Sequence, residues 1–241
     1  MQEVTLTEAD GVRNLHFGTR WVQGSMRLAD PDAIELEYVQ QMMMWALFDP
    51  LPGRIVQLGL GAGALTKFCH RHFPGATVTA VELHRAVIDT CRSAFGLPPG
   101  DARLDVVERD AMAFLMDAAN RGAADVLQVD LYDAEARAPV FQSAGFYQAC
   151  ADCLAPGGMM TVNLFCDPPY HGKNLEAMGL AFEAVAWLPE VHDGNVVAIA
   201  FKRAPVVDFS ALYERAAQIR GAWGLPAQSW VDGLQSWMQQ T

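Results

Sequence analysis

The feature that most restricts this chain is an alternation between Ile55 and Phe201, where short apolar runs are separated by segments of helical length. The runs are "RIVQLGLG", "ATVTAVEL", "LDVVERD", "ADVLQVDLYD" and "GGMMTVNLF", and "ALTKFCHRHF" and "AVIDTCRSAF" lie between the first three. Strands that read as continuous apolar runs are buried on both faces, and helix-length crossovers make such strands parallel. The predicted fold is α/β, a doubly wound, mostly parallel sheet. Near its end, "AVAWLPEVHDGNVVAIAFKR" reads as two β-rich stretches around the turn signal Asp193-Gly194-Asn195, which predicts a closing antiparallel hairpin.

The flanks divide the chain into three parts. Residues 1–37 are predicted to form a short β-rich extension, with turns at Asp10-Gly11 and Gln23-Gly24. Residues 38–203 form the main domain. The segment "IELEYVQQMMMWALFDP" reads as a helix ending before Pro50 and Pro52, and its run Met42-Met43-Met44-Trp45 as core or subunit contact. "FCDPPYHGKN", with two prolines and Gly172, reads as a shaped surface loop in which Tyr170 or His171 could touch substrate. Residues 204–241 read as a tail of two short helices with Trp223, Trp230 and Trp237 exposed.

In 241 residues, 51% hydrophobic content suits one sizeable core. The net charge of −11 argues against a nucleic-acid surface, which needs clustered Lys and Arg. No apolar run reaches the roughly 18 residues of a membrane span, and Met1-Gln2-Glu3 opens no signal segment, so the expected location is cytoplasmic. Cys69, Cys91, Cys150, Cys153 and Cys166 are scattered and are expected to be reduced thiols. Cys150 and Cys153 have redox spacing but sit late in a helix, where nothing stabilises a thiolate. The six His residues form no ligand set, and no metal site is predicted.

Gly59, Gly61 and Gly63 stand between the first core strand and its helix, where glycine lets the backbone turn tightly and approach a ligand. Glu82 ends the second strand about 20 residues later, where a carboxylate can accept from two ribose hydroxyls. The third strand ends at Arg109-Asp110 and the fourth at Asp130, followed by Tyr132 and Asp133. Ligands of open α/β sheets bind outside the carboxyl ends of the strands, so these residues are predicted to share one crevice. Asp110 has two readings: a helix N-cap, or an acceptor for an exocyclic amine such as that of adenine. Both NAD and S-adenosyl cofactors satisfy this pattern. NAD is disfavoured by the missing third glycine, since Ala64, Leu65 and Thr66 follow Gly63.

Taken together, "LGLGAGA", "VTAVEL", "ERDAMAFL", "VDLYD", the residues Pro139, Phe141, Phe146 and Tyr147, and "LAPGGMMTVNLF" resemble the polyamine aminopropyltransferases, the spermidine synthase family, over Tyr38 to Phe201. The resemblance implies a Rossmann-like class I methyltransferase fold and an enzyme. Its cofactor would be S-adenosylmethionine or decarboxylated S-adenosylmethionine, and the enzyme would transfer an aminopropyl or related alkyl group to a small-molecule amine. It implies that Glu82 binds ribose, that Asp110 reads the adenine amine and that Asp130 deprotonates the attacking amine, with Asp133 holding a cationic acceptor and Tyr132 beside them. Gly59, Gly61, Ala62 and Gly63, with Ala111 and Tyr38, complete the expected cofactor pocket. A homodimer is expected, with no nucleic-acid or membrane partner. One departure bears on the reaction: the family usually carries an Asp in the glycine loop for the ammonium of the decarboxylated cofactor, and here that position is Ala62. An S-adenosylmethionine-dependent methyltransferase is therefore the alternative, and a non-catalytic adenosyl-binding or assembly protein the third reading.

Overall fold

The computed structural model describes residues 4–131, 143–165, 168–191 and 194–240. Its centre is a seven-stranded sheet of β4 (Arg54–Leu58), β5 (Thr77–Glu82), β6 (Leu104–Glu108), β7 (Ala124–Val129), β8 (Leu154–Phe165), β9 (Ala184–Trp187) and β10 (Asn195–Phe201), in the order β6-β5-β4-β7-β8-β10-β9. The first five are parallel, and β10 runs antiparallel to both β8 and β9. The α/β fold with its closing hairpin is thus as expected; His192 and Asp193 of the hairpin turn lie outside the described residues.

Strand periodicity splits the core. In β4, Ile55 faces one side and Val56 and Leu58 the other. The first face packs against α1 (Glu37–Gln41), α2 (Ala64–His72), α7 (Phe209–Trp223) and α8 (Ala227–Gln240), with α3 (Arg85–Ala94) beside them. The second face carries α4 (Ala111–Leu115), α5 (Ala144–Cys153) and α6 (Pro168–Gly179).

Four expectations change. The segment after Ile34 forms only α1 and a 3-10 turn over Met44–Leu47, because the Met42 carbonyl accepts from Gln128 Nε2 at 3.2 Å and Thr161 Oγ1 at 3.0 Å. Tertiary bonds there replace the helical ladder, and Met42 to Trp45 are wholly buried. The segment read as a surface loop carries helix α6, since prolines are tolerated in a first helical turn, where their missing N–H has no partner to lose. Of the three tryptophans expected to be exposed, Trp230 is 1% exposed, and Trp223 and Trp237 are half-buried. Trp230 lies on the buried α8 stripe Ala227, Trp230, Val231 and Leu234, spaced for one helical face.

The N-terminal extension is a separate antiparallel sheet of β1 (Thr5–Ala9), β2 (Val12–His16) and β3 (Val22–Arg27). The turn at Asp10-Gly11 has positive φ at both residues, as a tight hairpin requires. Gln23-Gly24 is not a turn; it lies inside β3. Gly24 answers a close approach instead, since a Cβ there would sit 2.5 Å from the Ala62 amide nitrogen.

Among the described residues, no helix is long and apolar enough to cross a membrane, and no group of three or more His, Cys, Asp or Glu could hold a metal ion.

Candidate active site

Sheet register builds the site. Leu58 pairs with Val81 on one side and Val129 on the other, and Glu82 pairs with Glu108. The ladder continues one step further: Gly59 N–H donates to Val81 O, Asp130 N–H to Leu58 O and Arg109 N–H to Glu82 O, each at 2.9 Å. Gly59, Glu82, Asp110 and Asp130 therefore leave the sheet at one level, and all four line a cavity of about 120 Å³. Gly61, Ala111, Arg109, His84, Phe17 and Gln23 complete much of its wall.

The glycine loop is dictated by what presses on it. Gly59 has φ +93°, and a Cβ there would overlap the Asp130 carbonyl oxygen. At Gly61, φ +52°, a Cβ would fall 2.9 Å from the Gln23 carbonyl oxygen of β3. Gly63 caps α2 in the left-handed region and faces Leu97 rather than the cavity. Ala62 lines a second, tighter cavity on the other side of the loop, with Gln23, Gly24, Tyr38, Gly59, Gly61 and Asp130. Beneath the loop, the Cys91 thiol donates to Gly61 O at 2.8 Å and Lys67 Nζ to Phe95 O at 2.7 Å.

Each carboxylate has its own surroundings. Glu82 is buried; its Oε1 accepts from His84 N–H at 2.8 Å and Oε2 from Leu60 N–H at 3.2 Å. Burial raises its pKa and these backbone donors pull it back. Asp110 serves as N-cap of α4, Oδ1 accepting from Ala113 N–H at 2.8 Å, while also facing the cavity. The two readings of that residue are therefore compatible. Asp130 is pushed up to about 6 by burial, against a hydrogen bond from Asn163 Nδ2 at 3.1 Å and a longer one from Tyr38 Oη at 3.5 Å. A carboxylate of that basicity facing a cavity can take a proton near neutral pH.

Tyr132 and Asp133, as well as Pro139 and Phe141, lie outside the described residues. Phe146 and Tyr147 are buried in α5. Cys69, Cys91, Cys150 and Cys153 are free and buried; burial holds the Cys150 thiol well above its ordinary pKa and raises that of Cys153 too, as suits inert packing.

Sequence reasoning missed Phe17, Gln23, His84 and Asn163. For Asn163 a signal existed, a lone amide inside the apolar run "MMTVNLF". Phe17 meets His84 edge to face, ring centroids 6.5 Å apart, so the N-terminal sheet closes one side of the cavity.

The profile of the Spermine/spermidine synthase domain matches residues 35–186. A polyamine aminopropyltransferase of Chromobacterium violaceum is 31% identical over 243 residues, covering 100% of this chain and 92% of the relative. Among solved structures, a probable spermidine synthase from Corynebacterium glutamicum aligns with TM-score 0.74 at 21% identity, covering 96% of this chain and 91% of that one. Human Methyltransferase-like protein 13, in complex with SAH, aligns with TM-score 0.67 at 22% identity, covering 83% of this chain and 93% of that one.

Proposed function

Since this chain belongs to the spermine/spermidine synthase family, we propose that it is an alkyl transferase that binds an S-adenosyl sulfonium donor and passes an aminopropyl or related group to a small-molecule amine. The observation that carries the reading is Asp130, its carboxyl raised to about 6, in one cavity with Glu82 and Asp110.

The residues suit the donor. A side chain at Gly59 or Gly61 would collide with the Asp130 or Gln23 carbonyl and displace the glycine loop that borders the cavity, the Glu82 carboxylate can accept ribose hydroxyls, and Asp110 keeps acceptor capacity for the adenine amine beyond its capping bond. A sulfonium supplies an electrophilic carbon and leaves as a neutral thioether. Asp130 accepts the proton that the amine must lose before its lone pair can attack. Asn163 and Tyr38 fix the carboxylate in place, so little reorganisation is needed at the moment of reaction. Asp133 and Tyr132, following in the chain, are proposed to hold the cationic acceptor.

Asp130→Asn should lower turnover by at least about a hundredfold while methylthioadenosine affinity stays within about threefold. Unchanged turnover would remove the base from this mechanism. Methyl transfer is the second reading, favoured by the uncharged Ala62 on the cavity wall. Mass spectrometry of the acceptor after incubation with each donor separates the two.

A further inference from the structure

Among the described residues, Gln23 is the one residue of the N-terminal sheet that lines both cavities, and its amide nitrogen lacks a partner. It is 4% exposed, and its Nε2 makes no hydrogen bond. The two cavities meet at Gln23, Gly59, Leu60, Gly61 and Asp130. Glu82 and Asp110 mark the adenosyl end of the first cavity, and Asp130 marks the reacting centre. A donor whose sulfur lies near Asp130 must therefore direct its remaining chain along the Gln23 side of the loop.

Among the described residues, the wall on that side is neutral: Gly24, Ser25, Leu36, Val39 and Ala62, with Asp130 as its one charged group. Asp130 accepts from Asn163 and Tyr38, and its remaining acceptor capacity serves the attacking amine rather than the donor's tail. Two donor tails can be compared with this wall. That of decarboxylated S-adenosylmethionine ends in a lone ammonium, which needs an anion. That of S-adenosylmethionine is a zwitterion, whose carboxylate can accept from a buried amide N–H and whose net charge is zero. A buried donor without a partner is costly, and an ionised acceptor satisfies it best.

We infer that Gln23 reads the tail of the donor by hydrogen bonding in a neutral subsite, so that this chain accepts intact S-adenosylmethionine at least as well as the decarboxylated form. The inference rests on the adenosyl reading of the first cavity. It deepens that reading by naming the donor: with the intact one, an amine attacking the tail carbon next to sulfur receives an amino-carboxypropyl group. The N–C bond forms as the C–S bond breaks, methylthioadenosine leaves, and the amine's proton passes to Asp130.

Calorimetric titration of the full chain with methylthioadenosine, S-adenosylmethionine and decarboxylated S-adenosylmethionine tests it. Wild type should bind the intact donor at least as tightly as the decarboxylated one. Gln23→Glu should shift that ratio about tenfold or more toward the decarboxylated form, and Gln23→Leu should weaken the intact donor about tenfold, both keeping methylthioadenosine affinity within about threefold. A decarboxylated donor bound about tenfold tighter by wild type, or a ratio unmoved by Gln23→Glu, overturns the inference while methylthioadenosine binding keeps the adenosyl reading. Failure of wild type to bind methylthioadenosine overturns both.

Discussion

At the scale of single residues, the site trades stability for chemistry, and Asp130 is where that trade can be measured. Its pKa is raised from 3.8 to about 6 by burial, so between those values the folded chain holds more protons than the unfolded one. The sign follows: stability falls as pH rises through that window and stays lower above it. Asp130→Asn removes the ionisation, so its melting temperature should exceed that of wild type at pH 7.5, and the gap should close below about pH 4. A difference between variant and wild type that stays the same from pH 4 to pH 7.5 would show that this carboxyl is not raised in the folded chain. The same titration should appear in catalysis, as kcat/KM rising with pH through an inflection near about 6. Gly59 is constrained from the other direction. Gly59→Ala must accommodate φ +93° and a collision with the Asp130 carbonyl, so it should cost at least about 2 kcal/mol and abolish methylthioadenosine binding, read by denaturant melts and calorimetry.

At the scale of elements, β3 is the part of the site that local sequence rules misplace. Gly59, Glu82, Asp110 and Asp130 were legible because each ends a strand of a parallel sheet, and register alone brings strand ends together. Gln23 and Phe17 were not, because their place depends on how a separate three-stranded sheet docks on the glycine loop. Gln-Gly within "WVQGSMR" carries the composition of a turn, and only the 2.5 Å approach to Ala62 reveals why the glycine is there. The short α1 was hidden for a related reason, since the bonds that end it come from Gln128 and Thr161, far along the chain. If β3 is a working wall of the site, a Cβ at Gly24 should push it off the loop. Gly24→Ala is expected to weaken methylthioadenosine binding about tenfold or more, with a smaller loss of melting temperature than Gly59→Ala, because the main sheet is untouched. Unaltered affinity would mean that the N-terminal sheet only flanks the pocket.

At the scale of the whole molecule, the face of the sheet that carries α1 and α2 also receives α7 and α8. Trp45, Ile55, Phe68, Ile219 and Trp230 belong to one apolar cluster, so the C-terminal helices share a core with the strand that runs into the glycine loop. Trp223 extends that contact by packing on Phe68 and Phe73, ring centroids 5.6 and 5.2 Å away. A shared core predicts shared melting. Trp230→Ala empties a fully buried site and should cost about 3–5 kcal/mol, a large part of the roughly 5–15 kcal/mol that a folded chain commands. The loss should appear in one transition, recorded alike by far-UV and near-UV circular dichroism, rather than as early release of the last two helices. Because Trp230 does not line the cavity, methylthioadenosine at about a hundred times its Kd should still add about 2.7 kcal/mol to wild type and variant alike. Two separate transitions, or a variant that melts like wild type, would make the C-terminal helices an appendage instead of a part of the scaffold that holds the glycine loop.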